Sequence, residues 1–205
     1  MSSSPSYLDP VVLPLLRGAT VLDVGCGVGR WAHLIRSNYW EAGLSSPPVV
    51  DGFDAYARNV EASRRGGAYR EVWQQTLPSS IEGTWDTVLA SEVIEHLPAD
   101  AVDEVLVALE GAARRRVILT TPNFPALRGG VESTEGFNEF DAHLSYVTRS
   151  QLRRRGYRVL GAGFGNPTNP IVRVGLRLRL ASTLMSVPRH LPALGESIVA
   201  IRDTP

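Results

Sequence analysis

The chain has 205 residues, of which 43% are hydrophobic and 20% charged, a composition that predicts one packed domain over residues 1–205 and excludes a disordered chain or a coiled coil. Its single cysteine excludes an intrachain disulfide and a cysteine-rich zinc site, and no apolar run reaches the ~18 residues that a membrane span requires. The net charge is zero, but residues 1–113 carry seven Arg against 15 acidic residues, whereas residues 114–205 carry 14 Arg against six.

The first ten residues lack the basic and apolar regions of a secretory signal, so we expect a cytoplasmic protein. After an amphipathic segment at 7–16, strand and helix patterns alternate, which predicts a parallel α/β sheet. The strands are predicted at 19–24, 49–53, 69–73, 85–90, 116–121, 157–161 and 197–202. The helices are predicted at 30–37, 55–65, 100–109 and 148–155.

Two segments fit this alternation poorly. Residues 123–146 have no clear periodicity, and a loop of that length in a compact domain is typical of a lid or of a disordered segment. We expect a substrate lid there. Residues 171–180 alternate apolar residues with Arg, a pattern that fits either an edge strand or a basic amphipathic helix.

The strongest motif is VLDVGCGVGR at residues 21–30, where a predicted strand enters a glycine-rich turn that precedes a helix. Glycines permit positive φ and let the backbone approach a ligand closely. A dinucleotide site needs G-x-G-x-x-G, but here the third glycine comes one residue early and Arg30 takes its place. Asp23, just before the turn, would repel a pyrophosphate and suits a cationic ligand instead.

This motif resembles the first motif of class I S-adenosylmethionine-dependent methyltransferases. The resemblance implies a Rossmann-like, doubly wound fold with a seven-stranded, mostly parallel sheet whose last strand is antiparallel. It also implies S-adenosylmethionine as cofactor, with its ribose hydroxyls on an acid at the end of the second strand. That acid is Asp54, and Asp51, inside the strand, is the weaker candidate. The cofactor-binding residues implied in this way are Asp23, Gly25, Cys26, Gly27, Asp54, Gln75, Thr76 and Ser91.

The segment SEVIEHL at residues 91–97 follows the fourth predicted strand. If this turn is helical, Glu92, Glu95 and His96 share one face, and two carboxylates with an imidazole suit a divalent cation. The pattern resembles that of ubiquinone-pathway O-methyltransferases and of small-RNA 2′-O-methyltransferases, whose fold returns a later histidine, here His143, to the same sheet edge. The resemblance implies Mg²⁺ or Mn²⁺ bound by Glu92, Glu95, His96 and His143.

A second interpretation of the same segment needs no metal. Many small methyltransferases carry a similar sequence here without a cation, with the glutamate on the cofactor's amino group and the histidine packed or holding substrate. The catalytic candidates are then His143, as a general base, and Glu92. The sequence leaves both interpretations open.

RVILTTPN at 116–123, HLS at 143–145 and RGYRVLG at 155–161 resemble compact bacterial saccharide O-methyltransferases, including the actinobacterial methylmannose polysaccharide 1-O-methyltransferases. The lid offers aromatic rings for stacking on sugars and acids for accepting hydroxyls: Phe124, Phe137, Phe140, Tyr146, Glu132, Glu135, Glu139 and Asp141. These acids disfavour nucleic acid, because they would repel phosphates. We expect a small-molecule or oligosaccharide acceptor and no membrane span. The sequence is also compatible with a homodimer. The alternatives are a phenol or polyketide, an RNA hydroxyl, or a non-enzymatic cofactor-binding role.

Overall fold

A sheet of seven strands forms the centre of the computed structural model, which describes residues 4–133, 136–177 and 184–204. The strands are β1 (Thr20–Val24), β2 (Val49–Asp54), β3 (Glu71–Gln74), β4 (Trp85–Ser91), β5 (Ala113–Pro122), β8 (Arg158–Phe164) and β9 (Gly195–Asp203), and a separate hairpin comprises β6 (Val131–Ser133) and β7 (Gly136–Asn138). Their order in the sheet is β3-β2-β1-β4-β5-β9-β8. β9 is antiparallel to β5 and β8, and the other pairs are parallel. This order confirms the predicted α/β fold.

Helices cover both faces of this sheet. They are α1 (Asp9–Val12), α2 (Arg30–Ser37), α3 (Ala57–Gly66), α4 (Val102–Ala112), α5 (Arg149–Arg154) and α6 (Pro170–Arg177). Because alternate side chains of a strand point to opposite faces, Leu22 and Val24 of β1 pack in the same core as α4 and α5, whereas Val21 packs with α2 and the N-terminal segment. All three side chains are fully buried, as expected for a parallel sheet between two helical layers.

The N-terminal amphipathic segment consists of short turns around α1 instead of one helix. Two 3₁₀ helices, Ser6–Leu8 and Leu13–Leu15, flank α1. Pro10 and Pro14 explain this break, because proline lacks the amide hydrogen that a helix interior needs. The helix predicted at 148–155 is confirmed as α5, and Thr148 caps it by accepting a hydrogen bond from the Gln151 amide at 3.2 Å.

The segment that fitted both a strand and a helix is helical as far as Arg177, and residues 178–180 lie outside the described residues. Asn169 starts α6, since its side chain accepts a hydrogen bond from the Ile171 amide at 3.0 Å, and Pro170 occupies the first turn, where it is tolerated. Val172 is fully buried in a small core with Phe164. Among the described residues, no helix combines the length and the hydrophobicity needed to cross a membrane.

Residues 123–146, predicted as a lid, contain the β6–β7 hairpin, a 3₁₀ turn at Glu139–Asp141 and a β-bridge between Arg128 and His143. The two ends of the segment are tied together, because the Tyr146 hydroxyl donates a hydrogen bond to the Asn123 carbonyl at 3.3 Å. The segment therefore leaves and re-enters the domain at one point, at the carboxyl edge of the parallel strands.

Asn123 anchors this point to the C-terminal part of the chain. Its side-chain amide donates hydrogen bonds to the carbonyls of Pro192 and Gly195, each at 2.8 Å. Asn123→Ala leaves these carbonyls without their donor, so we expect a loss of about 1–3 kcal/mol in the free energy of unfolding, measured by urea denaturation. Asn38→Ala is the control, since it removes one local bond, to Leu34, at the end of α2. Equal stability of the two variants would contradict this role of Asn123.

Candidate functional site

The glycine turn links β1 to α2 at the carboxyl edge of the sheet. Gly25 and Gly27 have φ angles of 65° and 56°, in the left-handed region that favours glycine. A Cβ atom on Gly25 would also lie only 2.6 Å from Cγ2 of Val93. The turn therefore requires glycine both for its backbone conformation and for the space beside Val93.

Asp54, the last residue of β2, is held rigidly next to this turn. Its carboxylate accepts hydrogen bonds from the amides of Gly27 at 2.8 Å and Tyr56 at 2.9 Å, and from the side chain of Asn59 at 3.1 Å. Burial raises the pKa of Asp54, and these donors oppose the rise. The side chain is only 7% exposed. Asp54 is thus a fixed hydrogen-bond acceptor, whereas Asp51 is committed to Trp85 and Arg70.

A cavity of about 260 Å³ lies in front of Asp54. Six of the residues predicted to form the site line it: Gly25, Asp54, Gln75, Thr76, Glu92 and His96. The lid contributes Asn138, Phe140, Asp141 and Leu144 to the lining. We call this space the first cavity. Its residues come from the ends of β1, β2, β3 and β4, which is where a doubly wound sheet binds ligands.

The other predicted cofactor residues do not line the first cavity. Asp23 is buried behind the turn, where one oxygen accepts a 2.6 Å hydrogen bond from Tyr69, and burial raises its pKa to about 7. Gly27 contributes its amide to Asp54. Cys26 and Ser91 line a second cavity of about 200 Å³, on the other side of Glu92. Burial raises the pKa of the Cys26 thiol, so it is not a thiolate near neutral pH.

Backbone hydrogen bonds bring His143 to the turn that carries Glu95 and His96. The Glu95 carbonyl accepts hydrogen bonds from the amides of Leu144 at 2.8 Å and Ser145 at 3.1 Å. The rings of His96 and His143 meet edge to face, with centroids 4.8 Å apart. One ligand atom each from Glu95, His96 and His143 lies within 4.8 Å of the others. The sequence prediction that His143 returns to this turn therefore agrees with the structure.

Glu92 does not belong to this group of three, and the predicted helical face is wrong. The 3₁₀ turn covers only Ile94–His96, and Glu92 precedes it with a φ of 57°. A positive φ costs a residue other than glycine on the order of 1–3 kcal/mol, which points to a functional constraint. The Glu92 carboxylate accepts a 2.9 Å hydrogen bond from Thr120 and lines both cavities.

The buried carboxylate of Glu95 is compensated only in part, by the charge of Arg128. Glu95 is 2% exposed, and neither of its carboxylate oxygens has a hydrogen-bond partner among the described residues. Burial and the charge of Glu92 raise the pKa of Glu95, and burial raises that of Glu92 to about 7. Burial lowers the pKa of His143 to about 4, so its imidazole is neutral at pH 7. The carboxylate of Glu95, which has no hydrogen-bond partner among the described residues, and the neutral imidazoles beside it form a donor set that a divalent cation fits.

The orientation of His96 also fits a ligand role. Its Nδ1 lies 3.0 Å from the carbonyl oxygen of Ala142. A carbonyl oxygen only accepts, so Nδ1 carries the hydrogen and donates the hydrogen bond. The lone pair is then on Nε2. A metal-binding histidine is usually oriented in this way, with its second ring nitrogen donating to a backbone carbonyl.

Sequence reasoning missed several residues of the second cavity. Ser4 contributes its hydroxyl, which shares a 2.8 Å hydrogen bond with Ser91. Arg30 is held by Asp9 at 2.6 Å, and its Nη1 is buried without a partner among the described residues. Arg128 lies 2.8 Å from His143. These contacts join residues far apart in the chain, and no local pattern marks them.

Comparisons with known proteins agree on the fold. A family model described as a methyltransferase domain matches residues 6–160. A segment of 117 residues is 30% identical to the chloroplastic magnesium protoporphyrin IX methyltransferase of Arabidopsis thaliana and covers 51% of this chain but only 33% of that protein. The match thus spans a third of the length of this relative.

Solved structures with low sequence identity share the same architecture. The magnesium protoporphyrin IX methyltransferase of Synechocystis PCC 6803 with bound SAH has a TM-score of 0.58 at 16% identity, over 96% of this chain and 82% of that one. An S-adenosylmethionine-dependent methyltransferase from Mesorhizobium loti has a TM-score of 0.58 at 15% identity, over 97% and 98% of the two chains. These similarities establish the fold alone.

The unpaired carboxylate of Glu95 should make the metal-free protein less stable at higher pH. The pKa of an unfolded Glu is about 4.3, and the folded value lies above it. The folded protein therefore holds the proton more tightly, and its stability falls as the pH rises through that interval. Glu95→Gln removes this loss. At pH 8 in EDTA we therefore expect its free energy of unfolding, measured by urea denaturation, to exceed that of the original protein by on the order of 1–3 kcal/mol, and the difference should shrink toward pH 4.

Glu110→Gln is the control with the opposite sign. Glu110 is paired with Arg155 at 2.8 Å and with Arg202 at 2.9 Å, so its charge is compensated. We expect this variant to be less stable than the original protein at pH 8. A Glu95→Gln variant that is also less stable at pH 8 would show that the charge of Glu95 is fully compensated in the folded protein.

Proposed function

The chain belongs to the methyltransferase domain family, and from this premise we propose that it is an S-adenosylmethionine-dependent O-methyltransferase. In this proposal the acceptor is a hydroxyl of a saccharide or related small molecule, and a divalent cation assists the transfer. The supporting observation is that the two cavities share a wall, since Gly25, Glu92, His96 and Asp141 line both. A methyl donor bound beside Asp54 and a methyl acceptor bound beside Glu95 would meet at that wall.

The residues of the first cavity fit the proposed cofactor. When bound, S-adenosylmethionine supplies a methyl group on a sulfonium centre that a nucleophilic oxygen attacks. Asp54 suits the ribose hydroxyls, because three donors fix its carboxylate and an oxygen lone pair is left for the ligand. Gln75 and Thr76 lie at the end of β3, where the adenine would bind, and Gly25 lies toward the shared wall.

The cluster of Glu95, His96 and His143 would hold the cation. A cation there would lower the pKa of the acceptor hydroxyl. Two imidazoles with one carboxylate favour Mn²⁺ over Mg²⁺, because Mg²⁺ prefers oxygen ligands. Glu92 is the proton acceptor in this proposal, since it lines both cavities and its pKa of about 7 is close to the working pH.

The lid supports a neutral acceptor rich in hydroxyl groups. Phe137 and Phe140 are 60% and 41% exposed, so their rings are free to stack on a sugar face. Glu132 and Glu139 are exposed on the same segment, and such carboxylates accept hydrogen bonds from hydroxyls but repel phosphates. Glu135 lies outside the described residues.

A planar aromatic acceptor is the second candidate. The first cavity has an apolar side next to His96, formed by Leu97, Phe140 and Leu144. The Arabidopsis relative is named for a magnesium porphyrin. An acceptor panel should therefore contain neutral oligosaccharides, phenols and a porphyrin, each tested with cofactor labelled in the methyl group.

Asp54→Ala should weaken the binding of S-adenosylmethionine by about 2–4 kcal/mol, because a charged acceptor of ribose hydroxyls is lost. Isothermal titration calorimetry measures the effect, and Asp100→Ala, which removes an exposed acid outside both cavities, serves as the control. Thermal melting of the ligand-free variants checks that the turn remains folded. Unchanged affinity in Asp54→Ala would remove Asp54 from the cofactor site.

Methyl transfer should stop in EDTA and return with added metal, with Mn²⁺ more effective than Mg²⁺. Glu95→Gln should reduce turnover on the order of 100-fold while leaving cofactor affinity nearly unchanged, since the cation stabilises charge that develops in the reaction. Glu104→Gln, on the exposed face of α4 and outside both cavities, is the matched control. Full activity in EDTA together with an inactive His143→Ala would refute the cation and make His143 the general base.

A further inference from the structure

Arg128 is the positive group nearest the cluster on the lid. Its Nη2 lies 2.8 Å from Nε2 of His143. The backbones of the two residues form a β-bridge, with the His143 amide donating to the Arg128 carbonyl at 2.9 Å. The Arg128 side chain is exposed. Its backbone is thus fixed beside His143, while the guanidinium is free to leave toward solvent.

The chemistry of this hydrogen bond determines which nitrogen of His143 has a lone pair. A guanidinium only donates, so Nε2 must accept, and the proton of the neutral imidazole is then on Nδ1. Nδ1 is buried without a hydrogen-bond partner in the part of the chain that the structure describes. The one lone pair that His143 offers is therefore the one that Arg128 occupies, and a metal ligand needs that lone pair.

The charge of Arg128, like its hydrogen bond to His143, opposes the binding of a cation at the cluster. Burial and Glu92 raise the pKa of Glu95, and Arg128 opposes them. Burial lowers the pKa of His143, and the charges of His96 and Arg128 lower it further. The guanidinium is thus a counter-charge for Glu95 and repels a second cation at the same place.

We propose that Arg128 and the divalent cation compete for Nε2 of His143, so that the side chain of Arg128 must swing out before the cation binds. This inference rests on the cation of the proposed function. No proton moves in the exchange, because Nδ1 keeps its hydrogen whether Nε2 faces the guanidinium or the metal. Arg128 is therefore a positioning residue that sets the affinity of the free protein for metal.

The test is the binding of Mn²⁺, measured as free Mn²⁺ by electron paramagnetic resonance, with no turnover involved. Arg128→Met removes the charge and the hydrogen-bond donors but keeps an apolar side chain similar in length to the arginine stem. This variant should bind Mn²⁺ at least about tenfold more tightly. The free energy of a tenfold change is only a small part of the repulsion between two unit charges a few ångströms apart. Arg128→Lys keeps the charge and should stay close to the original protein. Arg173→Met removes an exposed arginine on α6 and should change nothing.

A double variant tests whether the competition passes through His143. In a His143→Ala background, Arg128→Met should increase the affinity for Mn²⁺ much less, because the lone pair for which Arg128 and the cation compete is absent. An equal gain in both backgrounds would overturn the competition for His143. Thermal melting of each variant establishes that the lid and the domain remain folded.

The remaining outcomes distinguish a failure of the competition from a failure of the cation site. Mn²⁺ binding that Glu95→Gln abolishes but Arg128→Met leaves unchanged would overturn the competition and keep the cation. Absence of Mn²⁺ binding by the original protein and by Arg128→Met alike would overturn the cation site and the inference with it.

Discussion

The carbonyl oxygen of Glu95 accepts two amide hydrogen bonds, from Leu144 and Ser145, and the candidate site depends on this junction. It fixes the end of the lid on the turn after β4, so that His143 lies against His96, although 46 residues separate the two along the chain. The same junction holds Asp141 over the first cavity. One backbone contact therefore brings the lid onto the first cavity and places His143 beside Glu95 and His96.

The cluster costs stability and is maintained by the fold around it. Glu95 is buried with no partner for its carboxylate among the described residues, and Glu92 adopts a backbone conformation that glycine favours. A domain optimised for stability would replace both. Buried, unpaired charge of this kind is tolerated where a ligand completes it, because the free energy of binding then offsets the cost of desolvation. The feature that makes the cluster unstable, a buried carboxylate without a hydrogen-bond partner, is also the feature that motivates the proposed cation.

The sequence predicted the elements that depend on local pattern and missed those that depend on long-range contact. Central strands such as β1 and β4 were found because they are apolar runs buried on both faces, and α5 because Thr148 is a good cap. The pattern of 171–180 was ambiguous, since apolar residues that alternate with Arg also satisfy a helix; Asn169 and Pro170 decide for the helix. Positive φ at Glu92 and the bridge from Arg128 to His143 leave no local signature.

The lid couples the two cavities through Asp141. This residue lines both, and it sits in the 3₁₀ turn between the β6–β7 hairpin and His143. Asn138 caps that turn by accepting a hydrogen bond from the Phe140 amide and also lines the first cavity, so it links the turn to the wall of that cavity. A shift of this turn on filling the first cavity would move the wall of the second, because both walls belong to one short, capped segment. The two tied ends of the lid would confine such a shift to the residues between them.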